Sequence, residues 1–357
     1  MTTPKLLKIA AMLILVVSTG LVGCEGDAGP EGPAGPAGPE GPQGPAGEDA
    51  LNTCSDCHND DTVLMAIQRQ FQQSSHNETV YWPRESGTCA TCHNHNGFTE
   101  VVVNGGTLPD GGFDDTVPIN CRTCHEVHND FDGDDYALTT TAPVDLFTGG
   151  TYDNGSGNLC SNCHQARPVD PLPELGGAQF EVTSFRYGPH YAPQGNIATG
   201  NALFEFTGSA SYPASNPHGA SCNTCHMVEA TAEYGPDVYV TGGHTWALAW
   251  DDEGEDVEAV EACTQCHGSA TSFDAFNGQT TVSGLMDQLA TLLVDEGILQ
   301  LDTKYANEAT YDPEVVAAFL NYKYVWHDGS LGVHNPGYVQ ALLTNTIEAM
   351  EARLPAK

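Results

Sequence analysis

Basic side chains are scarce in this chain: 11 Lys and Arg stand against 47 Asp and Glu in 357 residues, a formal charge of −36. Phosphate recognition needs clustered Lys and Arg, so the scarcity excludes a nucleic-acid partner and argues against docking on an anionic lipid surface. Only 16% of residues carry charge of either sign. Methionine is limited to six positions, and Met1 and Met12 fall in the first apolar stretch. There is no Gly-rich phosphate loop, no Ser-His-Asp set and no pair of carboxylates that can be argued to be catalytic. Length alone allows two or three ordinary domains. What is plentiful is Gly (39), Pro (22), His (14) and Cys (13). The odd cysteine count splits into six pairs and one.

Residues 1–23 read as an export signal: Lys5 and Lys8 form a positive start and Ile9 to Val17 an apolar core. The segment closes on Leu21-Val22-Gly23-Cys24, which resembles a bacterial lipobox. That resemblance implies cleavage before Cys24, lipidation of Cys24 and, with Glu25 following, an outer-membrane address. The competing reading is a membrane-spanning helix, but the apolar run ends within about 17 residues, the short limit for a bilayer. Cleavage leaves 9 basic residues against 47 acidic ones, or −38.

Residues 24–50 form the next region. Gly26, Gly29, Gly32, Gly35, Gly38, Gly41, Gly44 and Gly47 recur with a period of three, and Pro follows six of them. Only Gly fits at the axis of a collagen triple helix, so the repeat is collagen-like. It reads either as a single polyproline-II stalk or as a weak trimer; in both cases it spaces an anchor from the rest of the chain.

Residues 51–357 hold every other Cys and every His. A helix is expected from Thr62 to Gln73. Leu285, Leu289, Leu292 and Leu293 give helical spacing over Gly284 to Glu296. Asp312-Pro313 reads as an N-cap and first helical residue, opening a helix to about Trp326, and Asn335-Pro336 opens another. Elsewhere Gly, Asn, Asp, Pro and Thr dominate, and little β structure is expected.

The twelve cysteines after Cys24 fall into six copies of Cys-x-x-Cys-His. These are Cys54-Cys57-His58, Cys89-Cys92-His93, Cys121-Cys124-His125, Cys160-Cys163-His164, Cys222-Cys225-His226 and Cys263-Cys266-His267. This is the covalent attachment signature of c-type haem. Two thiols meet the two porphyrin vinyl groups, and the adjacent imidazole lies under the iron as proximal ligand. Six disulfides would give no reason for a His after every second cysteine, a coincidence on the order of 10⁻⁸. Zinc sites pair such motifs or use separated histidines, and thioredoxin-like centres need a βαβ frame around one pair.

Eight histidines remain: His76, His95, His128, His190, His218, His244, His327 and His334. Six irons need six distal ligands, so the supply covers complete bis-histidine ligation with two to spare. Such iron is low-spin with no open position, suited to electron transfer rather than to binding substrate.

On these motifs the chain resembles the extracellular multihaem c-type cytochromes of metal-respiring bacteria, both the surface lipoproteins and the filament-forming kind. Their surroundings carry the resemblance further: Ser75-His76, the CRTCHEVH run ending at His128, Tyr187-Gly188-Pro189-His190, Asn216-Pro217-His218, Gly243-His244-Thr245-Trp246 and Gly332-Val333-His334-Asn335-Pro336. The resemblance implies distal ligands at His76, His128, His190, His218, His244 and His334, leaving His95 and His327 as spares. It implies six haem c groups, a mostly irregular and α fold wrapped around them, electron transfer between the cell envelope and metal oxides or other cytochromes, and self-association into filaments. The lipobox departs from the lipid-free filament cytochromes, and six motifs depart from the surface decahaem pattern. The C-terminal helices also resemble multihaem reductases of small nitrogen or sulfur compounds. Those need a five-coordinate haem, some marking it with Lys in place of the motif His, and no motif here ends in Lys.

Two acidic clusters, Asp130–Asp135 and Asp251–Asp256, read as solvated loops. The first has the Asp130, Asp132, Asp134 spacing of a calcium loop, but Asp135 stands where that loop needs Gly.

Overall fold

The structure is a computed structural model and describes residues 62–77, 87–128, 136–202, 204–213, 219–232, 238–252 and 255–353. The export signal, Cys24, the Gly-Pro repeat, the first motif (Cys54, Cys57, His58), His218 and the Asp130–Asp135 cluster lie outside the described residues. All described residues belong to the unit Glu48–Lys357.

The described chain is mostly irregular, with eleven α-helices and eight strands of two to four residues. The strands pair as four separate two-stranded antiparallel ladders. Four helices are long: α1 (Thr62–Gln73), α2 (Gly278–Asp295), α3 (Pro313–Asp328) and α4 (Pro336–Glu351). Helix α1 coincides with its expected bounds. Helix α2 begins six residues earlier than the leucine spacing suggests, because Val282 also faces the core. Proline opens α3 and α4, where its fixed φ suits the first helical position and its missing N–H is not needed. Asn335 caps α4 by accepting from Tyr338 N. Asp312 occupies the corresponding position of α3 but makes no side-chain cap; its carboxylate is drawn instead to Arg353.

Helices α2, α3 and α4 pack around one apolar core. Val282, Leu289, Leu293, Phe319, Leu320, Leu342 and Leu343 are fully buried in it. Burying each such side chain stabilises the fold by about 1.5–3 kcal/mol. The strand pair Phe180–Val182 with Ala309–Tyr311 ties an upstream loop to this body. Among the described residues no helix is long and apolar enough to cross a membrane.

Between Gly87 and His267 the apolar clusters are small. One is Val144, Leu146, Tyr152 and Ala198; the other is Val228, Ala259 and Ala262. Short helical turns carrying the cysteine motifs lie around them.

Candidate functional site

Each described motif folds as about one helical turn. The His N–H closes onto the carbonyl of the first Cys at 2.9 Å in Cys121–His125, 2.9 Å in Cys160–His164 and 2.8 Å in Cys263–His267. In a helix, positions i, i+3 and i+4 share a face, so this turn aims both thiols and the imidazole the same way. Asn120 fixes the third motif with a capping box, accepting from Arg122 N while Thr123 Oγ1 accepts from Asn120 N.

Four motif histidines meet a histidine from outside the motifs. Ring centres are 6.2 Å apart for His93 and His190, and 6.2 Å for His125 and His244. They are 6.1 Å apart for His164 and His76, and 6.3 Å for His226 and His334. All four pairs join one motif member to one non-motif member. Two imidazoles bound on opposite sides of one metal, each through a bond of about 2 Å, have ring centres roughly 6.3 Å apart. The residues present therefore fit an iron held between each pair.

Four of the eight paired imidazoles are shifted toward the neutral form. Burial holds His76 down to about 4, and lowers His164, His226 and His244 below the ordinary value of 6.5. A neutral imidazole has a lone pair to offer a metal. In five of the paired rings Nδ1 is occupied elsewhere, which leaves Nε2 as ligand. His125 Nδ1–H donates to the Tyr136 carbonyl at 2.8 Å, His226 to the Trp246 carbonyl at 3.0 Å, His190 to the Tyr191 carbonyl at 3.2 Å, and His164 to Gln194 Oε1 at 3.2 Å. His334 donates to Asp328 Oδ1 at 2.7 Å. Burial opposes a charge on His334, and the Asp328 carboxylate more than offsets it, so the His334 pKa is raised.

Helix α1 and a glycine turn position two of the non-motif rings. His76 sits on the short turn that follows α1. Gln70 of α1 accepts from His244 N at 2.9 Å, and Gln73 accepts from Tyr239 N at 3.1 Å. A side chain at Gly243 would run into Gln70 Oε1 at 2.3 Å, and φ there is +50°, so the turn requires glycine. The same turn carries Trp246, whose ring lies 4.6 Å from His76 and 5.3 Å from His244. His334 comes instead from the α3–α4 connection, held by the C-terminal core.

The motifs also touch one another. His95 Nδ1 meets Thr123 Oγ1 of the third motif at 3.1 Å, just after the second motif ends. The second motif reaches the fourth through Cys92 Sγ and the Asn162 carbonyl, 3.7 Å apart. The fourth reaches the fifth through Ser156 Oγ and Asn223 Oδ1 at 2.7 Å. Gln265 of the sixth donates to the Thr224 carbonyl of the fifth at 3.3 Å. Burial raises Cys124 to about 11. Contact with Cys160 and Tyr152 holds Cys222 down at about 6.

The remaining candidates are placed differently. His327 packs against Tyr191 at 4.2 Å and Trp326 at 4.6 Å, and burial holds it down to about 3. His267 lies 5.4 Å from Phe276. His128 has a left-handed backbone, φ 63°. Cys89, Cys121, Cys225 and Cys266 stand in their motif turns, partly or fully exposed. Among the described residues no His, Cys, Asp and Glu cluster of three or more is arranged to hold a bare metal ion. No local signal marks Asp328 and Gln194, which are ordinary polar residues until the fold sets them beside a histidine.

No family model and no curated protein matches the chain. Among solved structures, the crystal structure of outer cell wall cytochrome OcwA is similar at 18% identity, with a TM-score of 0.46, over 79% of this chain. This chain spans 49% of that protein, about half its length.

Proposed function

We propose that the chain is an electron-transfer protein holding six covalent haem c groups between paired histidines. It passes electrons between the cell envelope and extracellular acceptors such as metal oxides or other cytochromes. The observation that carries this reading is the set of four histidine pairs, each joining a motif ring to a non-motif ring at the separation expected of two ligands on one metal. When bound, haem supplies a one-electron couple, so each electron accepted at a pair is matched by one given up and no substrate bond is made or broken.

The chain's own residues divide the remaining work. The two cysteines of each motif would fix the group covalently, and the paired imidazoles would hold its iron. Carbonyl and carboxamide acceptors at Nδ1 set the tautomer and orient each ring. His58 and His267 remain to be matched with His128 and His218, giving six pairs, with His95 and His327 outside the set. The contacts between motifs support a serial order: third, second, fourth, fifth, sixth. Lipidated Cys24 and the Gly-Pro stalk hold this unit at the cell surface, and polymerisation of the units would extend the relay.

The test is the intact chain purified from a host that attaches haem c. Mass spectrometry is expected to find six haems, and the oxidised spectrum to be low-spin throughout. Absence of covalent haem would overturn the reading. A high-spin component that binds nitrite or cyanide would favour a small-molecule reductase instead.

A further inference from the structure

The histidine pairs share one separation but not one electrostatic environment. Of the five Nδ1 hydrogen bonds at paired rings, four end on neutral oxygens: the carbonyls of Tyr136, Trp246 and Tyr191, and the Gln194 side chain. The fifth, from His334, ends on the Asp328 carboxylate at 2.7 Å, the shortest of the set. The Asp328 side chain is 0% exposed, so water does not screen its charge. Its other oxygen accepts from Ser330 Oγ and from Ser330 N. Among the described residues no Lys or Arg pairs with it.

A buried carboxylate on the far nitrogen of an axial imidazole makes that ring a stronger donor, which stabilises oxidised iron over reduced. We infer that Asp328 sets the potential of the His226–His334 site, making it more negative than a neutral acceptor at Nδ1 would. This rests on the electron-transfer reading above and adds to it a residue that acts through a ligand rather than as one. Asp328 is a positioning residue placed at the end of α3 by the C-terminal core. Its backbone carbonyl accepts from Gln194 Nε2 at 3.0 Å, and Gln194 is the partner of His164. The neighbouring site therefore touches the same residue but receives a dipole where its neighbour receives a charge.

The experiment is a spectroelectrochemical titration of the intact haem-loaded chain and two variants. Asp328→Asn keeps an oxygen acceptor for Nδ1–H and removes the charge. One component is expected to move to higher potential while the others stay, with the low-spin spectrum unchanged. Ser330→Ala removes a donor to the carboxylate and is expected to move the same component to lower potential. Should Asp328→Asn fail to fold, Ser330→Ala carries the test alone. If no single component moves, or if all components move together, the assignment is overturned. A wild-type chain without covalent haem would sink the electron-transfer reading itself; a loaded low-spin chain with unmoved potentials would sink only the role of Asp328.

Discussion

The C-terminal body and the motif-bearing segment are built on different principles, although one chain runs through both. In α2, α3 and α4 the core is made of side chains, with Phe319, Leu320, Leu342 and Leu343 sealed completely. Between Gly87 and His267 the side-chain clusters are small, and helical turns hold Cys and His on shared faces instead. The first region meets the cost of ordering its chain by burying its own apolar surface. The second adds Ala166, Val169, Val182 and Ile197 to that core but otherwise buries little apolar surface of its own, and on the reading proposed above a bound apolar group supplies the rest. The two meet at His334 and Asp328, where the side-chain core delivers a ring to the fifth motif.

The largest expected effect comes from withholding haem. Chain made without haem attachment should lose ordered structure between Gly87 and His267 while α2, α3 and α4 stay helical. Limited proteolysis followed by mass spectrometry would check this, and equal cleavage in both regions would erase the distinction. Next in size is Phe319→Ala, expected to destabilise the C-terminal body by about 3–5 kcal/mol, as read by thermal melting. Because that body delivers His334, the variant should also disturb one haem site and leave the others low-spin.

A smaller effect is expected from His190→Ala. His190 is exposed and comes from a loop, so melting should hardly change, while one site gains high-spin character in the oxidised spectrum. Acid should act on the C-terminal body through His327. Its folded pKa of about 3 lies below the unfolded value of 6.5, so the folded state resists protonation. Stability is complete above 6.5 and falls as the pH drops from there toward 3. His327→Phe should flatten that slope in melts recorded across the range. The smallest effect belongs to Asp312, whose carboxylate the Arg353 guanidinium holds below 3.8. Its contribution is present above 3.8 and lost below it, so Asp312→Asn should alter melting only slightly at neutral pH.

Legibility in the sequence follows the same division. Helix α1 and the starts of α3 and α4 could be read within a residue or two, because apolar spacing and Pro at the first helical position are local signals. The start of α2 could not, since Gly278 to Thr281 carry no apolar stripe. Short strands such as Phe180–Val182 were invisible, because their partner Ala309–Tyr311 lies far along the chain. The motifs announce their own chemistry, but which ring faces which does not follow from spacing. His190 meets the second motif, His244 the third, His76 the fourth and His334 the fifth, an order set by tertiary packing. Asp328 was hidden for the same reason: an aspartate at a helix end reads as a surface residue until the fold buries it.

Those four pairings are tested most directly by a high-resolution structure of the haem-loaded chain. It should show iron between His93 and His190, His125 and His244, His164 and His76, and His226 and His334. Any of these irons bound by a different second residue, or left open on one side, would contradict them.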